Sequence, residues 1–401
     1  MTLSQKFRGW YTSTPVLRII FGFLRSFQPV AIVGKNVYVT KYKDVADVLV
    51  REDDFTVYEI DGHKMKAMGS EFILGLDASP ETTRDREMLA QVIKREDLAP
   101  IREYIRKIAN DLINAKSQQK RINVVNEYAR LACVKLVADY FGVPTEDPKT
   151  MMNWQRDCFN EAFVNLNNDK RIHDQGIKAA KEVGDHLRKL ISERKIQTEP
   201  LDDNILNRLI AKQKDNSWLD DEAVRRNILC ILGVVENTSK VVTQIIDQLL
   251  KRPVEFQKAK LAADANDIET VKKYSFEALR FNPHNPAVVR FCKHGSVIGK
   301  GTKHEKIIPQ GKIVYAATLG AMFDPEVVKN PNEFDPERTN EFMHFGYGPH
   351  LCTGKYISEV TVPELVAGLL RQKNLRRAPG KEGKILYDEI VFPDRLILEF
   401  D

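Results

Sequence analysis

The chain of 401 residues has few cysteines, and nothing in their spacing indicates a metal ribbon or a disulfide framework. The five cysteines are Cys133, Cys158, Cys230, Cys292 and Cys352. They are scattered, odd in number and without a CxxC pair, which argues against a zinc ribbon and a disulfide-stapled secreted domain. This usage favours a reducing, cytoplasmic setting, in which most of the cysteines fill core space as small hydrophobic residues.

Strong charge of one sign is missing as well. The 61 Lys and Arg residues against 56 Asp and Glu residues leave a net charge of only +5, and no dense basic block is present. A nucleic-acid partner is therefore not expected. A net charge of +5 remains compatible with a local basic patch that binds an acidic protein partner.

The N-terminal region is predicted to have neither a signal peptide nor an apolar run that spans a membrane. Its apolar stretch from Val16 to Leu24 is short and carries Arg18, whereas a spanning helix needs about 20 apolar residues. The stretch favours a helix packed on the body of the protein. Loose, peripheral contact with a membrane surface is the alternative.

Helical periodicity dominates between Thr82 and Leu250. Apolar residues recur at threes and fours in 98–115 and 124–141, and a longer helix with a nearly apolar middle at 228–236 is predicted from about Asp220 to Leu250. The elements predicted upstream are a β-hairpin at Val30–Val33 and Asn36–Val39, a helix at Asp44–Arg51 and a long mobile loop at 56–77.

After residue 285, short strand-like runs alternate with glycine and proline turns. They lie at Val288–Phe291, Ser296–Ile298, Lys306–Ile308 and Ile313–Ala316, and helical character returns beyond Gly354. No repeat, low-complexity segment or obvious linker interrupts the chain. One mainly α-helical domain over residues 1–401, with a minor β part, is therefore predicted.

The sharpest local feature is FGYGPHLCTG at residues 345–354. It resembles the haem-binding loop of the cytochrome P450 family, FxxGxxxCxG, with Phe345, Gly348, Cys352 and Gly354 at the required spacings. The chemistry is consistent, because glycines let backbone N–H groups approach a thiolate and the following helix directs its positive end at the sulfur. The resemblance implies the cytochrome P450 fold, a helical prism around a buried haem b (iron protoporphyrin IX), with Cys352 as the metal ligand.

A second motif, FEALRFNP at residues 276–283, places Glu277 and Arg280 three residues apart on one helix face. Alone, such a pair is commonly a surface ion pair of little value. In the family, an ExxR pair upstream of the cysteine loop is buried and linked to a downstream arginine. The resemblance therefore implies a structural ion-pair network of Glu277, Arg280 and Arg338.

The family also anchors the haem propionates with basic side chains, because an arginine fork pairs with a carboxylate. The resemblance assigns this role to Arg86, Arg290 and His350. Two positions depart from the family pattern. Thr82 stands where a histidine is usual, and Phe342 stands where another histidine is often found.

The central helix departs from the family on the oxygen side of the haem. The family carries an A/G-G-x-D/E-T segment there, and the sequence reads ILGVVENTSK at residues 231–240. Counting back from the helix end aligns Glu236 with the acid and Asn237 with the threonine, whereas a one-residue shift would put Glu236 at the threonine. An asparagine amide donates a hydrogen bond but relays protons poorly, so the candidate catalytic residues are Glu236, Asn237 and Thr238. A helix kink satisfied by Glu236 and Asn237 is the structural alternative.

Apolar side chains from several segments are expected to line the substrate pocket, which predicts a small or medium lipophilic substrate. They are Met65, Met68, Phe72, Phe163, Val234, Val235 and Val288.

The resemblance implies a monooxygenase that activates dioxygen to hydroxylate or epoxidise such a substrate. Electrons are expected from a separate ferredoxin or flavoprotein reductase, since the sequence has no flavin or NAD(P)H motif. A soluble, bacterial-like, cytoplasmic monomer is expected. Asn237 leaves open a peroxygenase, an isomerase or an oxidative coupling enzyme on the same scaffold, and a non-catalytic haem sensor is a remote alternative.

Overall fold

Helices make up most of the structure, a computed structural model that describes residues 13–69, 71–198, 201–338, 342–387 and 391–401. The α-helices are α1 (Thr14–Phe27), α2 (Tyr42–Val50), α3 (His63–Ala67), α4 (Pro80–Val92), α5 (Leu98–Asn114), α6 (Arg130–Asp139), α7 (Pro148–Phe159), α8 (Lys170–Ile196), α9 (Ile205–Lys212), α10 (Asp221–Ile231), α11 (Val234–Leu250), α12 (Pro253–Asp264), α13 (Ile268–Phe281), α14 (Thr318–Ala321) and α15 (Lys355–Leu370). The strands are β1 (Val30–Val33), β2 (Asn36–Val39), β3 (Phe55–Thr56), β4 (Arg121–Asn123), β5 (Val288–Cys292), β6 (Ser296–Ile298), β7 (Lys306–Ile308), β8 (Ile313–Ala316), β9 (Arg376–Arg377), β10 (Leu386–Tyr387), β11 (Pro393–Arg395) and β12 (Ile397–Glu399). The prediction of a mainly α-helical fold with a minor β part is confirmed.

The largest sheet has five strands in the order β1-β2-β8-β5-β3. β1 and β2 form the predicted hairpin, with Val30 opposite Val39. β2 and β8 run parallel, and the other neighbours are antiparallel. This sheet carries its own hydrophobic cluster, separate from the larger core of the helices. It bears on the site because β5 holds Arg290.

Helix α1 packs on the body of the protein, where Phe21 is buried in the cluster of the sheet. Its outer face is apolar. Ile19, Phe23 and Phe27 are 74%, 62% and 75% exposed, and the rings of Phe23 and Phe27 lie 4.7 Å apart between centroids. The helix therefore covers the sheet on one side and leaves an apolar stripe on the other.

The long central helix is interrupted just before Glu236 and Asn237, the residues at which a helix kink was the structural alternative. One helix was predicted from about Asp220 to Leu250, whereas α10 and α11 are separated at Leu232–Gly233. Backbone bonds there span three residues, such as the N–H of Val235 to the carbonyl of Leu232 at 3.3 Å. The apolar pattern continues through the break, so periodicity could not reveal it. Taken as one span, Asp221–Leu250 is long and apolar enough to cross a membrane, but 78% of its most apolar window is buried, as in a core helix.

Part of the segment predicted as a mobile loop, 56–77, is helical. A π-helical turn at Tyr58–Gly62 leads directly into α3. A second π turn, Asn160–Val164, extends α7 and contacts both the first turn and α3. A third, Val124–Ala129, begins the helix predicted at 124–141. The second turn matters here, since such turns are frequent at functional sites and Ala162 and Phe163 of this one line the cavity described below.

Candidate functional site

The cysteine loop is a tight turn that ends at the N-terminus of α15. The backbone N–H of Cys352 donates to the carbonyl of Phe345 at 3.0 Å, which closes the loop. The Phe345 ring packs edge-on against Phe276 of α13, with centroids 5.8 Å apart. Gly348 has a φ of 71°, and a side chain there would meet the carbonyl oxygen of Leu49 at 2.9 Å. The loop therefore packs closely against the end of α2, and a residue larger than glycine at position 348 would push the two apart.

The Cys352 sulfur faces an enclosed interior space and the positive end of a helix. Backbone N–H groups of Gly354 and Lys355, at the start of α15, donate to it. The side chain is accessible to solvent, yet burial by the surrounding protein raises the pKa of the thiol. The two N–H groups and Arg86 oppose that shift by favouring the thiolate. A Cβ at Gly354 would lie 3.7 Å from the sulfur, in ordinary van der Waals contact with it.

Glu277 is the centre of a buried ion network. Arg280 binds it bidentately, Nε to Oε2 at 2.9 Å and Nη2 to Oε1 at 2.6 Å, and both side chains are at most 1% exposed. Arg338 Nε adds a bond of 3.3 Å to Oε1, and the backbone N–H of Asp335 donates to the same oxygen at 3.0 Å. Arg280 also donates to the carbonyl of Pro331 at 2.7 Å. The network ties α13 to the segment that precedes the cysteine loop, and its pairing compensates for burial.

Arg86 and His350 form a hydrogen-bonded chain with Glu52 beside the cysteine loop. Arg86 Nη2 lies 3.2 Å from His350 Nδ1, and His350 Nε2 lies 2.8 Å from Glu52 Oε1. Burial, aided by the charges of Arg290 and Arg86, lowers the pKa of His350 to about 3. The imidazole is therefore neutral at neutral pH, so Nδ1 accepts from Arg86 and Nε2–H donates to Glu52. The contact with Glu52 is a hydrogen bond rather than an ion pair.

Arg290 reaches the same place from β5. It is 5% exposed, and burial lowers its pKa to about 10, while the nearby carboxylates of Asp61, Glu52 and Asp77 oppose the shift. Burial in turn raises the pKa of Glu52, against the charges of Arg86 and Arg290. The guanidinium groups of Arg86 and Arg290 therefore both lie near the carboxylate of Glu52, at the edge of the interior space.

These residues fit a haem. A thiol aimed into an interior space at a helix N-terminus suits an iron ligand, and Arg86, Arg290 and His350 at its edge suit carboxylate groups. The carboxylate of Glu52 lies among them, at hydrogen-bond distance from His350.

Thr82, at the position where the family has a histidine, caps helix α4. Its hydroxyl accepts from the N–H of Ser79 at 2.9 Å, and the Ser79 hydroxyl accepts from the N–H of Thr82 at 3.2 Å. This reciprocal capping box uses both side chains to start the helix. Arg86, one turn further along α4, is the basic residue of this helix that contacts His350.

Asn237 of α11 lies in the wall of a cavity together with Gly233, the residue that precedes this helix. Its Nδ2 lies 3.5 Å from the position that a Cβ at Gly233 would take. Its Oδ1 is buried and has no hydrogen-bond partner among the described residues. The cavity wall therefore presents one unpaired polar atom.

Glu236 is held on another face by two arginines. Arg130 Nη2 lies 2.6 Å from Oε1 and Arg156 Nε lies 2.6 Å from Oε2, and the carboxylate is fully buried. Arg156 also pairs with Asp394 at 2.9 Å. The acid thus closes a charge cluster that joins α6, α7 and α11.

Thr238 turns to a third side, where its hydroxyl hydrogen-bonds the Cys133 thiol in the helical core. Of the three candidate catalytic residues, Asn237 is the one in the cavity wall. This placement favours the register in which Asn237, rather than Glu236, takes the threonine position.

The cavity is mainly apolar. Its wall consists of Met68, Phe72, Leu74, Gln155, Cys158, Phe159, Ala162, Phe163, Ala180, Leu229, Cys230, Gly233 and Asn237. Met68, Phe72 and Phe163 of the predicted pocket residues lie in this wall. The other four do not, because they pack elsewhere: Val234 and Val235 against the helical core, Val288 against the cluster of the sheet, and Met65 in the core next to Gly75.

The sequence did not predict the contacts of three charged residues in this region, Glu52, Arg130 and Arg156. Each stands in an ordinary charged or amphipathic stretch, with no motif around it. Their roles depend on neighbours distant in sequence, so no local signal could have identified them.

Comparison with known proteins places this site in a family. A family model described as cytochrome P450 matches residues 33–397. Cytochrome P450(BM-1) of Priestia megaterium is 25% identical over 342 residues, which cover 83% of this chain and 80% of that protein. A bifunctional dioxygenase–epoxy alcohol synthase of Fusarium oxysporum is 31% identical over 178 residues, 41% of this chain and 13% of that protein. The structure of P450BioI in complex with an acyl carrier protein ligated to hexadec-9Z-enoic acid has the same fold, with a TM-score of 0.81, 20% identity and 100% coverage of both chains.

Proposed function

Because the chain belongs to the cytochrome P450 family of haem-thiolate oxidoreductases, we propose that it is a monooxygenase that hydroxylates or epoxidises a small or medium lipophilic substrate. The observation that carries the proposal is the pairing of two features. The Cys352 thiol faces an interior space at the start of α15, and a mainly apolar cavity adjoins α11. The whole chain, residues 1–401, is proposed to act as one domain in a cytoplasmic monomer, with at most peripheral membrane contact.

Haem b is the cofactor of the family, and when bound it supplies the iron at which dioxygen is activated. In the proposal, Cys352 is the iron ligand. Phe345, Gly348 and Gly354 shape the loop around its sulfur. The haem propionates are bound by Arg86, Arg290 and His350.

The substrate is proposed to lie against Met68, Phe72 and Phe163 in the apolar cavity. Asn237 holds water or a polar group of the substrate there through its amide, because its Oδ1 has no other partner among the described residues. Glu236 acts by positioning α11, since its carboxylate is already bound by Arg130 and Arg156. Protons therefore reach the cavity through water or substrate next to Asn237.

A ferredoxin or flavoprotein reductase is proposed to dock beside the cysteine loop. The exposed Arg95 lies over the ring of Tyr356, and the ammonium of Lys355 lies 6.0 Å from the centroid of the same ring. This basic and aromatic patch suits an acidic partner. Arg95→Glu is expected to slow electron transfer at low salt and to lose that effect at high salt. Lys178→Glu, an exposed change on α8, is the matched control.

The proposal is tested by two measurements on the haem-loaded protein. The ferrous–CO form is expected to show the red-shifted Soret band of a thiolate-ligated haem. A lipophilic compound library with a reductase system and NAD(P)H is then expected to give hydroxylated or epoxidised products. A protein with the thiolate band but no oxygenated product from any compound would contradict the monooxygenase.

Asn237 favours one second candidate, a reaction that needs no external reductase, such as a peroxygenase or an isomerase. An amide in place of a hydroxyl suits a substrate that brings its own activated oxygen. The relative named as an epoxy alcohol synthase is compatible with this alternative. Turnover with hydrogen peroxide or a lipid hydroperoxide that exceeds turnover with reductase and NAD(P)H would favour it over the monooxygenase.

A further inference from the structure

The solvent-facing side of α1 is apolar and carries no charged residue. Its exposed residues are Pro15, Ile19, Phe23, Ser26 and Phe27. Ile19, Phe23 and Phe27 follow one another at intervals of four residues, so they form one row along the helix, which we call the α1 stripe. A surface helix ordinarily turns polar side chains to water, and a contiguous apolar patch marks a surface that binds something.

The packing of α1 fixes this exposure. Phe21 is buried on the inner side of the helix. The two arginines of α1 also turn toward the body of the protein: the Arg18 guanidinium lies 4.1 Å from the centroid of the Phe323 ring, and Arg25 Nη1 donates to the carbonyl of Gly320 at 2.8 Å. These contacts hold the helix in one rotation, with the α1 stripe on its outer side.

The chain around α1 is strongly basic. The first 43 residues contain no Asp or Glu, but seven Lys and Arg: Lys6, Arg8, Arg18, Arg25, Lys35, Lys41 and Lys43. The first acidic residue, Asp44, is bound to His304, with Oδ2 and Nε2 2.7 Å apart. Lys35, in the hairpin that follows α1, and Lys43, at the start of α2, are both exposed. Apolar and basic residues together suit an anionic lipid surface, whereas a second copy of the chain would bring like charges together.

The sequence before α1 has the same character. It contains three aromatic residues, Phe7, Trp10 and Tyr11. Tryptophan and tyrosine are enriched where proteins meet the boundary between lipid and water, because each has an apolar ring and a polar group. This composition favours a membrane over a protein partner.

We propose that the α1 stripe inserts into the surface of an anionic lipid bilayer, with α1 lying in the plane of the membrane. The apolar side chains then enter the boundary between the headgroups and the acyl chains, and the exposed lysines lie beside the lipid phosphates. This inference goes beyond the proposed function, since it does not depend on the reaction. It gives the peripheral membrane contact a defined surface and a preferred lipid charge.

The test is co-sedimentation of the full-length, haem-loaded protein with lipid vesicles. Vesicles of equal parts phosphatidylcholine and phosphatidylglycerol are compared with vesicles of phosphatidylcholine alone. The wild-type protein is expected to bind the anionic vesicles at least about tenfold more tightly, with a preference that falls as salt is added. Phe23→Ser combined with Phe27→Ser is expected to weaken binding to the anionic vesicles by at least about tenfold, because two rings no longer enter the lipid.

Val254→Ser combined with Leu261→Ser is the matched control. These two side chains are 65% and 68% exposed on α12, a helix that packs in the larger core rather than in the cluster of the sheet. The control is expected to bind vesicles as the wild-type protein does. An unchanged far-ultraviolet circular dichroism spectrum shows that each variant is folded.

Three results would overturn the inference: a wild-type protein that does not sediment with anionic vesicles, equal affinity for the two kinds of vesicle, or an equal loss of binding in the two double variants. A wild-type dimer that is lost in the Phe23→Ser, Phe27→Ser protein, without vesicle binding, would assign the α1 stripe to a second copy instead. Failure of the monooxygenase proposal is separate, because it shows in the ferrous–CO band and in turnover rather than in sedimentation.

Discussion

The ion network that supports the cysteine loop and the wall of the apolar cavity differ in how fully their buried polar groups are paired. In the network, Glu277 and Arg280 bind each other bidentately, and Arg338 adds a further donor. In the cavity wall, Asn237 Oδ1 has no partner among the described residues. Full pairing makes a rigid support, whereas an unpaired atom in a cavity wall is available to substrate and water. In the proposed function, the network supports the cofactor site and the cavity wall binds the substrate.

The two sides also differ in how closely they follow the family pattern. The cysteine loop keeps all four characteristic positions. On the cavity side an asparagine replaces the threonine, and the neighbouring acid, Glu236, is held by Arg130 and Arg156. The proposed iron ligation therefore follows the family pattern, whereas the residues proposed to handle protons do not.

The largest expected effect concerns the cysteine side. Cys352→Ser removes the sulfur that faces the interior space, so the ferrous–CO Soret band is expected to lose its red shift completely. Cys292→Ser, which changes a buried cysteine of β5 in the sheet cluster, is the control and is expected to keep the band. A Cys352→Ser protein that keeps the red-shifted band of the wild type would place the ligand elsewhere.

Breaking the paired network is the next test. Glu277→Gln leaves Arg280 buried without its countercharge, so the free energy of unfolding is expected to fall by about 3–5 kcal/mol in denaturant titrations. Glu269→Gln breaks an exposed pair with Arg102 and is expected to cost less than about 1 kcal/mol. Equal, small losses in the two variants would mean that the buried network does not stabilise the fold.

A pH titration tests the charges near Arg290, where Asp61 is a largely enclosed carboxyl close to Lys64 and Arg290. Burial raises the pKa of Asp61 to about 7. Between the unfolded value of about 3.9 and that value, the folded protein binds more protons than the unfolded chain, so its stability falls as the pH rises through this window.

At about 1.4 kcal/mol for each pKa unit, the fall is expected to reach at most about 4 kcal/mol and to level off above about pH 7. Asp61→Asn is expected to remove it. Unfolding free energies measured between about pH 4 and about pH 8 check the difference between the two proteins. Parallel profiles would show that Asp61 is not the titrating group.

The smallest expected effect is at Asn237. Asn237→Thr restores a hydroxyl at the cavity wall, so the product formed per NAD(P)H is expected to rise, by less than about 100-fold, the low end for a positioned proton-transfer group. Thr238→Val, which alters a hydroxyl that faces Cys133 instead, is the control and is expected to leave the yield unchanged. An Asn237→Thr protein with the yield of the wild type would show that protons do not pass this position.

Sequence alone predicted the fold class, the family and the cofactor, and these predictions are confirmed. It also grouped the residues of the cysteine loop and the pair of Glu277 and Arg280. These features are local: glycines and one cysteine at set spacings define a turn, and residues three apart share a helix face. The strands after residue 285 were predictable for the same reason, since short runs of β-branched residues between glycine and proline turns are typical of strands.

What only the tertiary structure decided is the direction and the partner of each side chain. A continuous run of apolar residues in the sequence cannot show that the helix is interrupted at Leu232–Gly233, or that Val234 and Val235 pack in the core. Likewise, nothing near Glu236 in the sequence indicates its two arginines, and nothing near His350 indicates that burial keeps it neutral beside Glu52. Burial and pairing depend on contacts between residues far apart in the chain, so they exist only once the chain has folded.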